Sequence, residues 1–162
     1  MIIPITNKWS CMAASFSMAL GIPFAVFIKE IGHDGSQPFF ADEQFHRGFH
    51  IQECIDVCLK HEFSCTEIQA YFGSTPFFGS KETIPVYSQE ACAKRFEDYL
   101  HSTFRGVLGG MVMRTNNLTV GHAVCWDSKL IHDPRGRSYS FEAAKLNNFY
   151  PQTLWILTKT EQ

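Results

Sequence analysis

Three residues far apart in the chain carry the side chains of a nucleophile, a base and an orienting acid: Cys11, His122 and Asp133. Cys11 follows Ser10, a good helix N-cap, and opens the run CMAASFSMAL. A thiol in the first turn of a helix sits where the dipole and the unpaired N–H groups favour negative charge. Such a place lowers the thiol pKa and populates the nucleophilic thiolate. The other five cysteines, Cys54, Cys58, Cys65, Cys92 and Cys125, fall mostly within apolar or helical patterns. A buried thiol of that kind behaves as a small, inert hydrophobe.

His122 and Asp133 are tied together by register. The segment GHAVCWDSKLIHDPRG, residues 121–136, reads as a β-hairpin turning at Asp127-Ser128. A turn centred there sets Trp126 against Lys129, Val124 against Ile131 and His122 against Asp133. Directly opposed residues share one face, with Cβ atoms ~5 Å apart. A carboxylate at that distance can hold the imidazole in one tautomer and stabilise its cation. A one-residue slip of the turn would move the two to opposite faces.

The elements that must position these groups follow from pattern and punctuation. Cys11 to Leu20 is small or apolar almost all round, which predicts a buried central helix stopped by Gly21. Ile22-Pro23 opens a second helix to about Ile31, ended by Gly32. His33 to Gly48, with Gly, Ser and Pro, reads as a loop. Ile51, Ile55 and Leu59 recur at helical spacing within a helix from His50 to His61. Phe63 to Ala70 is a short strand, Gly73 to Gly79 a turn-rich aromatic loop, and Gln89 to Ser102 a further amphipathic helix. Strand-like runs then cover Gly106 to Arg114, Thr119 to Trp126, Lys129 to His132 and Thr153 to Thr158, with a short helix around Phe141 to Leu146. Helices first and antiparallel strands last is an α+β pattern, and 162 residues fit one domain, 1–162.

Composition narrows the function classes. The net charge is -2, so neither a nucleic acid nor an anionic membrane is an expected partner. No window is long and apolar enough to span a membrane, and the first residues lack the basic stretch and apolar run of a signal peptide. The expected location is cytoplasmic, or a host cell reached without a cleavable signal. His50, Cys54 and Cys58 share a helix face, but there is no Cys-x-x-Cys pair and the spacing fits a zinc site poorly. Arg105 to Gly110 lacks the Lys-Ser/Thr of a phosphate loop. No metal and no cofactor are expected. Pro38-Phe39-Phe40 and Pro76-Phe77-Phe78 either line a substrate groove or tuck in beneath their loops.

The Cys-led helix CMAASFSMALGIPFAVF and the block GHAVCWDSKLIHDPRG resemble the papain-like cysteine peptidase superfamily, in particular the branch of double-glycine leader peptidases and their stand-alone relatives. The likeness covers roughly residues 5–30 and 105–135. It implies a papain-like fold, with a helical half packed on a C-terminal antiparallel sheet. It also implies Cys11 as nucleophile, His122 as general base and acid, and Asp133 as the orienting carboxylate. Where that family usually places a Gln, about six residues before the Cys, this chain has Ile5. Asn7, four residues before, is then the candidate oxyanion-hole side chain beside the Cys11 N–H. The exchange shifts the expectation from broad proteolysis toward one chosen amide in a protein or peptide substrate, by hydrolysis, Gln/Asn deamidation or acyl transfer. Bacterial effectors and phage proteins of the superfamily share this one-domain build. The rival expectation is a non-catalytic protein-binding module on the same fold, with Cys11 merely buried.

Overall fold

A computed structural model of the chain describes residues 2–39, 42–69, 89–102, 104–113 and 119–160. Helix α1, Cys11–Leu20, buries Ala13, Ala14, Ser15, Phe16, Ser17, Ala19 and Leu20, as its uniformly small and apolar sequence requires. It stops at Gly21, whose φ of 74° is the left-handed conformation that glycine adopts without strain. The Gly21 N–H reaches the Ser17 and Met18 carbonyls, and the Ile22 N–H also closes on Ser17. These bonds satisfy carbonyls that a helix end would otherwise leave bare. Helix α2, Phe24–Ile31, starts one residue later than the sequence suggests, with Pro23 as the extended residue before it.

Residues 33–48 do not form a plain loop. Strands β1, Pro38–Phe39, and β2, Asp42–His46, pair as an irregular antiparallel ribbon. Helix α3, Ile51–Lys60, is capped by His50, whose ring accepts from the Gln52 N–H while Glu53 reaches back to the His50 N–H. Strand β3 is Phe63–Gln69 and helix α4 is Gln89–Leu100. The aromatic loop at 73–79 lies outside the described residues.

The rest of the chain builds a sheet. Strands β4, Arg105–Met113, β5, Thr119–Trp126, β6, Ile131–Asp133, β7, Arg137–Tyr139, and β8, Phe149–Lys159, join β3 in the order β3-β8-β4-β5-β6-β7, with antiparallel neighbours throughout. Helices followed by a six-stranded antiparallel sheet make an α+β architecture. The short helix expected near Phe141 is instead a succession of turns, with i→i+3 bonds such as Ala144 N–H to Phe141 O.

Both faces of the sheet are covered. On one, Val107, Ala123, Cys125, Trp155 and Leu157 pack with Phe16, Phe27, Cys54, Val57 and Cys58. On the other, Leu108, Val124, Trp126, Leu154 and Ile156 pack with Phe96, Leu100 and Phe149. The period of two along β5 thus sends Ala123 and Cys125 to the α1 side and Val124 and Trp126 to the opposite side. A strand buried on both faces needs the near-continuous apolar run that Thr119–Trp126 supplies. Each fully buried Leu, Ile or Phe in these layers contributes roughly 1.5–3 kcal/mol relative to exposure.

Candidate active site

The β5–β6 hairpin has a longer loop than the sequence suggests. Trp126 faces Ile131 rather than Lys129, and Cys125 faces His132. The loop closes through Asp127 N–H to Leu130 O at 3.2 Å, with Ser128 at φ 79°. The carboxylate of Asp127 accepts from the Lys129 and Leu130 N–H groups, at 3.0 and 2.7 Å, and so holds the loop open. The register therefore slips by two residues. A slip of two keeps every side chain on its face, and His122 still meets Asp133, Nε2 to Oδ1 at 3.0 Å. They meet as diagonal rather than directly opposed residues.

The two groups are withdrawn from water: the His122 side chain is 9% exposed and Asp133 is fully buried. Phe149 meets the imidazole edge-on, at 5.9 Å between centroids. Asp133 has further partners. Oδ1 also accepts from the Arg135 backbone N–H at 2.9 Å and Nε at 3.1 Å. Oδ2 accepts from Arg135 Nη2 at 2.7 Å and the Tyr139 hydroxyl at 3.3 Å. Burial by itself pushes this carboxyl up, but the hydrogen bonds from His122 and Arg135 outweigh it and hold Asp133 well below the usual carboxylate range.

Cys11 reaches the imidazole at the point where β6 leaves β5. The pairing of the two strands runs only through Trp126 and Cys125, and two residues further back along β5 the Ala123 N–H favours the Cys11 thiolate. The chain ahead of α1 is fastened to the end of the hairpin by Ile5 N–H to Pro134 O at 2.9 Å. The thiol is half-buried and close enough to His122 for the ring to favour its thiolate. Nε2 is committed to Asp133, which leaves Nδ1 as the ring nitrogen available to the thiol. Burial raises the Cys11 pKa, yet the net direction is down: the His122 ring, by hydrogen bond and by charge, and the N–H groups of Ala123 and Met12 all favour the thiolate. The same pair moves His122 upward, since its bonds to Asp133 and Cys11 outweigh the burial that lowers it.

The other described thiols stand in contrast. Burial pushes Cys58 and Cys125 up to about 12 and Cys65 to about 11, and Cys54 is raised further still. Cys54 and Cys58 are core residues, and His50 is spent on capping α3.

Asn7 braces the turn ahead of α1. Its Oδ1 accepts from the N–H groups of Trp9 and Ser10, at 3.2 and 2.9 Å. The Ser10 hydroxyl makes no capping bond to the helix. The asparagine thus shapes the turn that delivers Cys11, and its Nδ2 is the arm not used by that turn. Trp126 is a 4%-exposed core residue packed edge-on against Phe141.

Two features beside the site lack an obvious sequence signal. Arg135 and Tyr139 grip Asp133, and the turn that brings Arg135 back closes with Gly136 N–H to Asp133 O, with Gly136 at φ 89°. Trp9, two residues before the thiol, packs against His46 with centroids 3.9 Å apart and rings tilted by 38°, and donates from Nε1 to Asp34 O, which ties the β1–β2 ribbon to the approach to α1. A cavity of about 340 Å3 lies by Arg47, Phe49, His50 and Glu53, away from Cys11, His122 and Asp133. Glu53 in that cavity is engaged by His33 and Arg47 and by the His50 N–H. No protein-family model matches the chain, and no curated protein is significantly similar to it.

Proposed function

We propose that the chain is a cysteine-dependent hydrolase or acyl-transfer enzyme acting on a protein or peptide amide, with Cys11 as nucleophile, His122 as general base and acid, and Asp133 as orienting carboxylate. The observation that carries this reading is the buried His122–Asp133 pair, Nε2 to Oδ1 at 3.0 Å, with Cys11 at the first position of α1 held as a lowered thiol by the same imidazole. The lowered thiol and the raised imidazole describe a thiolate–imidazolium pair in the making. The resemblance of the Cys-led helix and the His-Asp hairpin to papain-like peptidases supports the same reading, and a papain-like fold is proposed with it.

The chemistry follows from the placement. The thiolate attacks the substrate carbonyl carbon, and the C=O π electrons move onto oxygen. The Cys11 N–H, which has no helical partner at the first position of α1, faces that oxygen. Asn7 Nδ2 is the candidate second donor. Collapse expels an amine that takes the proton from His122, leaving a thioester on Cys11. Water, deprotonated by His122, then attacks the thioester and releases the acid and the free thiol. A leaving group that is ammonia makes the reaction a deamidation, and one that is a peptide amine makes it a cleavage.

The test uses electrophilic peptide probes, vinyl sulfones carrying varied side chains with Gln and Asn mimics among them. Intact mass and peptide mapping are expected to place one adduct on Cys11, absent from Cys11→Ala and slowed in His122→Ala. A folded protein that takes none of the probes at Cys11 contradicts the reading.

A further inference from the structure

The hydrogen bonds at Asp133 are more numerous than an orienting carboxylate needs. One bond, from His122 Nε2, orients the ring. Four more donors converge from the other side: the Arg135 backbone N–H, its Nε shared between both oxygens at 3.1 Å, its Nη2 at 2.7 Å, and the Tyr139 hydroxyl. The Arg135 side chain is 38% exposed while the carboxylate it grips is fully buried. The guanidinium therefore brings a positive charge from the surface to the back of the pair. Pro134 and Gly136 make the turn that folds it there; the Pro134 carbonyl, through Ile5 N–H, also holds the segment leading to Cys11.

We propose that Arg135 is a positioning residue of the proposed active site, a two-pronged clamp that fixes the plane of Asp133 and sets how strongly Asp133 holds the His122 proton. The inference rests on the Cys-His-Asp reading for its catalytic meaning, but its physical content concerns His122 and Asp133 alone. A carboxylate that already accepts from a guanidinium is a weaker acceptor toward imidazolium. A cation near the ring also disfavours a second positive charge on it. Both effects keep the imidazolium willing to release its proton to a leaving amine. The groups facing the His122 ring are Cys11 from α1, Asp133 from β6, and the uncharged Phe149 from β8, with Arg135 of the β6–β7 turn and Tyr139 of β7 behind the carboxylate.

The experiment is an NMR titration of the His122 imidazole in histidine-labelled full chain, for wild type, Arg135→Gln, Arg135→Lys and Tyr139→Phe. Arg135→Gln, which removes the charge and the fork, is expected to raise the His122 midpoint by about one pH unit. Arg135→Lys keeps a point charge without the fork and is expected to raise it by less. Tyr139→Phe removes one long, neutral bond and is expected to leave it near wild type. A midpoint that stays at the wild-type value in the arginine variants overturns the proposal, because a merely structural role would lower stability without moving it. If Arg135→Gln fails to fold, Arg135→Lys decides alone: no upward shift overturns the proposal. The readout does not involve thiol reactivity. A shifted midpoint in a protein whose Cys11 is inert would therefore sink the enzyme reading and leave the clamp standing.

Discussion

The hairpin of β5 and β6 carries two histidine–aspartate pairs, His122–Asp133 and His132–Asp127, built to the same plan. In each, Nε2 meets the carboxylate, at 3.0 Å in the first and 2.7 Å in the second. In each, the other face of the ring meets a nucleophile-type side chain: Cys11 in one, Ser138 Oγ at 2.8 Å from Nδ1 in the other. Bond lengths alone would rank the second above the first. What separates them is everything around the bonds. Asp133 is fully buried and His122 nearly so, whereas the His132 and Asp127 side chains are 20% and 34% exposed. Cys11 stands at the start of a buried ten-residue helix. Ser138 sits exposed in the three-residue strand β7, with no helix terminus to favour its ionised form. Asp127 already serves the Lys129 and Leu130 N–H groups, so its bond to His132 braces a loop. A Cys or Ser, a His and an Asp in line are common chemistry; burial and a helix N-terminus distinguish the Cys11 line from the Ser138 line.

That contrast can be broken or sharpened by substitution. The largest effect is expected from His122→Ala, which removes the proposed base and should lower turnover of a probe-derived peptide substrate by ~1,000-fold or more. Equal turnover in the variant would place the first pair on the same footing as the second. Asn7→Ser comes next. Serine can still accept from the Trp9 and Ser10 N–H groups but cannot donate an amide N–H, so turnover should fall by ~100-fold with little loss of stability. A fall in stability with turnover intact would make Asn7 a turn residue alone. The smallest effects are expected from His132→Ala and Asp127→Asn. Each should cost about 1 kcal/mol or less in chemical denaturation and leave the Cys11 adduct rate within about twofold of wild type.

Much of this comparison was legible in the sequence, and the failures have physical causes. The order of Cys helix, His strand and Asp strand could be read because polar groups interrupt otherwise apolar runs there. His122 and Asp133 were matched on a register that was off by two, and the match survived because side-chain direction along a strand has period two. The error came from Asp127, which reads as a two-residue turn former yet accepts two loop N–H groups and lengthens the turn to four residues. Ser10 does stand at the N-cap position, but its hydroxyl makes no capping bond, and the turn just before it is braced by Asn7, whose Oδ1 accepts from the Ser10 N–H. The β1–β2 ribbon was hidden by Pro38 and by mixed polar residues, and β7 by its length of three. The Arg135 clamp had no signal beyond an arginine two residues past Asp133, since only the Gly136 turn folds it back.

The central claim is that Cys11 differs in kind from the other thiols because His122 and the start of α1 favour its anion. The most direct measurement is the rate of iodoacetamide alkylation of each cysteine in the native protein as a function of pH, resolved by peptide mass. The expected result is that Cys11 reacts at pH 7 at least ~100-fold faster than Cys54, Cys58, Cys65 and Cys125, with a midpoint below the ordinary thiol value of about 8.5. In His122→Ala that midpoint should move back up toward the ordinary value. A Cys11 that alkylates no faster than the core thiols, with a profile indifferent to His122→Ala, would contradict the account.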